Sequence, residues 1–114
     1  MEQEINQKSV NDLFNDAARI VIKVGSDFVA DKTTGKPNFH LIKGLAADIR
    51  ALQEEGKDVL VVASGAVALG RLDAGFELDQ QLNLPQKQEA ASWGNQHHAM
   101  AFYSTFTDAG VKRL

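Results

Sequence analysis

The sequence predicts an α/β fold with a mainly parallel sheet, and three observations carry that prediction. Arg19 to Val24 and Val59 to Ala63 are apolar, β-branched runs, the pattern of strands in a parallel sheet. Each run stops abruptly at small residues, Gly25-Ser26 after the first and Ser64-Gly65-Ala66 after the second. Between them Phe39, Ile42, Leu45, Ala46, Ile49 and Leu52 recur at spacings of three and four, which describes an amphipathic helix packed on a sheet. Strand, long helix, strand implies a right-handed crossover with parallel strands, so both small-residue loops share one sheet edge. Open α/β sheets bind ligands at that carboxyl edge.

Composition bounds the rest. A chain of 114 residues forms one small domain that buries roughly 65% of its unfolded surface. The net charge is -3, with 12 basic and 15 acidic residues and no basic run, which gives no reason to expect nucleic acid or an anionic membrane surface. Any attraction for phosphate is therefore local. The chain has no cysteine, which excludes disulfides and thiolate metal sites. No apolar stretch approaches the roughly 18 residues of a membrane span, and Met1 to Asn15 lacks the apolar core of a signal peptide, so a cytoplasmic location is expected.

In chain order, residues 1–18 read as an extension. Ser9 and Asp12 form a candidate capping box for a short helix whose Leu13 and Phe14 dock on the body; a partly ordered leader is the competing reading. After the first strand, Asp27 to Asn38 reads as a turn or small hairpin around Thr-Thr-Gly-Lys and Pro37. Asn38 is the expected N-cap of the long helix and Gly56 its stop. Ser64-Gly65 opens a short helix running to Gly70 or Arg71, and Asp73 to Asn83 is a loop. A helical stretch follows from about Gln86 to Asp108, divided or bent at Gly94-Asn95 and ended by Gly110, with Val111 beginning a third strand. A two-stranded parallel sheet is a poor independent unit, so residues 19–114 are expected to be an incomplete domain or a severely trimmed one.

Lys23 is the sharpest chemical signal. One reading places its ammonium, with the N–H groups of Gly25 and Ser26, around a phosphate; the other lets it reach water from the sheet edge while Gly25 makes the turn. Ser64, Gly65 and Ala66 are open to the same two views, as an anion-accepting strand-to-helix junction or as an N-cap. Gly65 to Gly70 has the glycine spacing of a P-loop, yet Arg71-Leu72 stands where that motif needs Lys and Ser or Thr. The first loop likewise lacks the Gly-x-Gly-x-x-Gly fingerprint. His97 and His98 point about 100° apart on a helix and cannot clamp a metal together, so no metal site is expected from side chains. Trp93, Phe102, Tyr103 and Phe106 lie at helical spacings and are expected in the core, whereas Asp73, Glu77, Asp79 and Asp108 are expected to be solvated.

Three segments together resemble the amino-acid kinase family, and within it the amino-terminal part of the members that phosphorylate glutamate. They are Ile-Val-Ile-Lys-Val-Gly-Ser (20 to 26), Asp-Val-Leu-Val-Val-Ala-Ser-Gly-Ala-Val-Ala-Leu-Gly-Arg (58 to 71) and Leu-Pro-Gln-Lys-Gln-Glu-Ala-Ala-Ser-Trp-Gly-Asn (84 to 95). The resemblance implies the first part of a three-layer α/β/α, carbamate-kinase-like fold. It implies transfer of phosphate from ATP, with Mg2+, to the γ-carboxylate of L-glutamate, the first step of proline biosynthesis, in a homo-oligomeric enzyme. Lys23 matches the family's phosphate-binding lysine, with Gly25 and Ser26 as further ATP phosphate contacts. Ser64 matches the serine that contacts glutamate, with Gly65 and Ala66 beside it. Asp27-Phe28, Trp93 and Asn95 depart from the family pattern. The competing expectation is a non-catalytic α/β binding module, or a decayed kinase fragment, that associates with a partner chain.

Overall fold

The computed structural model describes residues 9–112. The first element, α1 (Val10–Asp16), is capped by Ser9, whose hydroxyl accepts the Asp12 N–H at 3.0 Å. Its Leu13 and Phe14 are exposed, so the expected docking of that helix through these side chains does not occur. The link to the body is polar instead. The Lys57 ammonium donates to the carbonyls of Asn15 and Ala17 at the end of α1.

β1 (Arg19–Val24) and β4 (Asp58–Ala63) pair in parallel, from Arg19 opposite Asp58 to Val24 opposite Ala63. The crossover between them contains α2 (Ser26–Val29), β2 (Ala30–Asp31), β3 (Lys36–Pro37) and α3 (Phe39–Glu54). β2 and β3 form the expected hairpin, an antiparallel pair of two residues on each side. The sequence reading missed α2, a single turn closed by the Gly25 carbonyl accepting from Phe28 and Val29. One turn is too short to show a helical period. Asn38 occupies the N-cap position of α3, but its side chain donates to the Asp27 and Phe28 carbonyls and so ties α2 down.

The core forms where α2, α3 and the later helices meet. Ile42, Ala46, Ile49 and Val29 are buried there with Leu69, Ala101 and Phe106, and Ile22, Val59, Val61 and Ala63 pack against them. Burying a side chain of this size contributes about 1.5–3 kcal/mol. The other sheet face is bare, with Val21, Leu60 and Val62 59%, 53% and 47% exposed. The radius of gyration is 17.4 Å, against about 13 Å for a compact chain of this length.

α4 (Ala66–Gly70) and α5 (Leu84–Asp108) complete the order. α5 starts two residues earlier than the expected Gln86, under a full Asn83–Gln86 capping box with Pro85 in the first turn. It runs unbroken through Gly94-Asn95. Gly94 does not divide the helix, and it lets α4 approach, because a Cβ there would collide with the Ala66 carbonyl and one at Gly70 with the Ala90 carbonyl. Trp93 and Tyr103 are exposed rather than in the core, while Phe106 is buried and Phe102 half-buried. Only the Phe102 and Phe106 side of the helix meets the sheet.

Gly110 ends α5 with a φ of +80°, but Val111 and Lys112 are not in a strand. The Gln53 side chain takes both Lys112 backbone groups, donating to its carbonyl at 2.9 Å and accepting from its N–H at 3.0 Å. The remainder of the expected third strand lies outside the described residues. Among the described residues no helix is long and apolar enough to cross a membrane.

Candidate functional site

Both strand-end loops lie at the carboxyl edge of the β1–β4 pair, side by side as the topology required. Their stitching is direct: the Ser64 N–H donates to the Val24 carbonyl at 3.1 Å, and the Ser64 hydroxyl reaches the same oxygen at 3.4 Å. Ser64 is therefore not the helix cap. That position belongs to Gly65, whose φ of +110° and ψ of 0° lie where a side chain is disfavoured. A Cβ on Gly65 would also press on Val29 at 2.9 Å. Gly65 thus has a packing reason to be glycine, one that sequence alone could not separate from a ligand reason.

Gly25 is the opposite case. Its φ of -82° suits any residue, and nothing lies within 4 Å of where its Cβ would be. Space above an exposed backbone next to a lysine is the arrangement that admits an anion closely. Lys23, next to it on β1, is exposed on the bare side of the sheet, and its ammonium has no hydrogen-bond or ion-pair partner among the described residues. A free ammonium beside an open backbone fits a phosphate group.

Beside these loops a cleft of about 600 Å³ is lined by Ser26, Ser64, Gly65 and Ala66, with Val67, Ala68 and Leu78 as its apolar part. Clefts of this size accommodate small metabolites. Four of the six residues singled out from the sequence share it; Lys23 and Gly25 are not among its lining residues. Three cations that sequence reading did not select also line it: Lys32 from the β2–β3 turn, Arg71 from the end of α4 and Lys87 from the first turns of α5. They are far apart in sequence, so no motif links them.

The surroundings hold the cleft in shape. Arg71 donates to the Gln80 and Glu77 carbonyls at 2.5 and 3.3 Å, which folds the 72–83 loop over one side and brings Leu78 in. Lys32 pairs with Asp27 at 2.7 Å. From α5, the His98 ring donates to the Ser64 carbonyl at 3.2 Å while stacking on Phe102. His97 pairs with Asp73, so that carboxylate is not merely solvated as expected. In the hairpin, the Thr33 hydroxyl and the N–H groups of Thr33 and Thr34 lower the pKa of Asp31 below the ordinary carboxylate value. Among the described residues no group of three or more His, Cys, Asp or Glu side chains converges on a point that could hold a metal ion.

Comparison with known proteins bears on this arrangement. The amino acid kinase family model matches residues 18–113. The glutamate 5-kinase of Caulobacter vibrioides strain NA1000 is 42% identical over 98 residues, which are 86% of this chain and 26% of that protein. The glutamate 5-kinase of Paramagnetospirillum magneticum is 44% identical over 78 residues, 68% of this chain and 20% of the relative. That of Brucella ovis is 40% identical over 97 residues, 85% and 25% respectively. The chain spans about a quarter of the length of the curated relatives it matches.

Proposed function

Because the chain belongs to the amino acid kinase family, we propose that it carries the acceptor and phosphate side of a glutamate 5-kinase-like site. In that reading the γ-carboxylate of L-glutamate attacks the γ-phosphorus of ATP. An oxygen–phosphorus bond forms at the carboxylate as the bond to the bridging oxygen breaks, leaving γ-glutamyl phosphate and ADP. No proton need move. The catalytic demand is to bring two anions together and to offset charge on the transferring group.

Lys23 does the second task from the end of β1, with backbone donors of Gly25 and Ser26 beside it. Ser64, Gly65 and Ala66 receive the acceptor carboxylate in the adjoining cleft. Mg2+ bound with the nucleotide would supply further charge neutralisation. The observation that carries the reading is the pairing of an unpartnered lysine and open glycine at one strand end with a built cleft at the next. The rest of the three-layer domain, the adenine site, a homo-oligomeric state and a place in cytoplasmic proline biosynthesis belong to the same proposal and rest on the relatives' similarity.

A second reading has its own observation. The bare sheet face at Val21, Leu60 and Val62 and an apolar groove of about 570 Å³ along β4, lined by Val59, Val61, Phe102 and Phe106, suit a non-catalytic module that joins a partner chain. Titration calorimetry separates the two. The 114-residue chain is titrated with Mg2+ and a non-hydrolysable ATP analogue, then with L-glutamate, after circular dichroism establishes folding. Nucleotide binding that Lys23→Ala weakens roughly tenfold to a hundredfold, as loss of a charge-assisted hydrogen bond predicts, supports the kinase reading. A folded chain that binds neither ligand overturns it in favour of the module.

A further inference from the structure

The peptide between Ser64 and Gly65 is gripped from one side only. Its carbonyl accepts from the His98 Nε2 on α5 at 3.2 Å. The peptide is trans, so the Gly65 N–H points the opposite way, away from His98, and it has no hydrogen-bond partner among the described residues. Gly65 lines the cleft, whereas His98 lines the apolar groove along β4 and not the cleft. The histidine ring is itself fixed: it stacks on Phe102 with centroids 4.8 Å apart, and Phe102 meets the buried Phe106 edge-on at 5.4 Å. A carbonyl oxygen only accepts, so a neutral ring in this position carries its proton on Nε2.

We infer that His98 is a positioning residue: by holding the Ser64 carbonyl it keeps the Gly65 N–H, and not that carbonyl, turned toward a carboxylate in the cleft. The backbone needs such a hold. Turning the 64–65 peptide over would carry the φ of Gly65 from +110° to about -70°, which glycine adopts as readily. In one orientation a donor faces the anion and attracts it; in the other a carbonyl oxygen faces it and repels it. The histidine hydrogen bond selects the first. His98 acts only through Ser64, since it lies outside the cleft. The acceptor role rests on the kinase reading, while the orientation of the peptide stands on the geometry alone.

The test separates the donor from the stack. His98→Phe keeps a ring on Phe102 and removes the N–H; His98→Gln loses the ring and offers an amide N–H the same number of bonds from the backbone. In the 114-residue chain and both variants, residual dipolar couplings report the direction of the Gly65 N–H. Titrations with L-glutamate and with the magnesium–nucleotide analogue report binding, and imidazole nitrogen shifts of the unsubstituted chain report the tautomer with no substitution at all. The expected result is the Nε2–H tautomer, a reoriented Gly65 N–H in His98→Phe, and glutamate binding weakened there about threefold to tenfold, with nucleotide binding unchanged and His98→Gln recovering most of the loss. The Nδ1–H tautomer, a Gly65 N–H that keeps its direction in His98→Phe, or glutamate affinity that is unchanged by His98→Phe or lost equally in His98→Gln overturns this inference and leaves the kinase reading standing. Absence of both the glutamate and the nucleotide response in the unsubstituted, folded chain overturns the kinase reading and the acceptor role with it; the tautomer and the couplings still decide the orientation of the peptide.

Discussion

The two strand-end loops are alike in sequence and unlike in construction. Each follows a β-branched run, and each has a glycine next to a serine at the same sheet edge. At Gly65 the backbone has a φ of +110° and Val29 fills the space a side chain would need. At Gly25 the backbone is ordinary and the space is empty. The fold requires glycine at position 65, and nothing in the fold requires it at position 25. The difference teaches that a glycine at a strand end is not in itself evidence of a ligand; the conformation and the neighbour must be known.

The largest expected effect comes from closing the space at Gly65. Gly65→Ala forces a side chain into a left-handed conformation and into Val29, and is expected to destabilise the chain by about 2–4 kcal/mol. Thermal unfolding followed by circular dichroism should fall by on the order of 10 °C. A melting temperature unchanged within error would erase the distinction between the loops.

Gly25→Ala is the counterpart with the opposite sign. Its φ of -82° accommodates alanine and the Cβ meets nothing, so reduced freedom of the unfolded chain should raise stability by about 0.4–1 kcal/mol. The same methyl group stands where a phosphate would approach, so binding of the nucleotide analogue should weaken while the protein melts later. A gain in stability with unchanged nucleotide affinity would sharpen the comparison differently, by leaving Gly25 with no ligand role.

Much of this layout was legible beforehand, and the exceptions share a cause. The β-branched runs and the apolar spacing from Phe39 onwards placed β1, α3 and β4 within a residue or two, because those elements extend over enough positions to show a period. The single turn of α2 does not. Gly94 reads as a helix breaker in isolation, whereas its use depends on Ala66, on another helix. Val111 has the composition of a strand, but Gln53 had already engaged the backbone of the residue after it. Trp93 and Tyr103 have the composition of a core and face outward. At the site, Lys23 and the two serine–glycine loops were visible because strands end there. Lys32, Arg71 and Lys87 were not, since three separate elements bring them to one cleft.

The smallest expected effect tests how the first loop is held. Asn38 ties the β2–β3 hairpin to α2 through the Asp27 and Phe28 carbonyls, so the position of Ser26 depends on the hairpin; Ser64 has hydrogen bonds that do not involve the hairpin, to the Val24 carbonyl at the end of β1 and from His98. The hairpin turn in turn depends on Asp31, whose carboxylate accepts from the Thr33 hydroxyl at 2.6 Å and from the Thr33 N–H at 2.9 Å. Those bonds favour the ionised form and lower its folded pKa. Their contribution is therefore present above the ordinary aspartate pKa and lost as the pH falls through the lower, folded value. Acidification across that window should move the amide resonances of Thr33 and Thr34 first, with those of Ser26 and Asp27 following, while Ser64 to Ala66 stay in place. Asp31→Asn should reproduce the shifted positions near neutral pH and remove the acid transition from the first loop. If both loops move together at acid pH, or if the transition survives in Asp31→Asn, the two loops are not held independently.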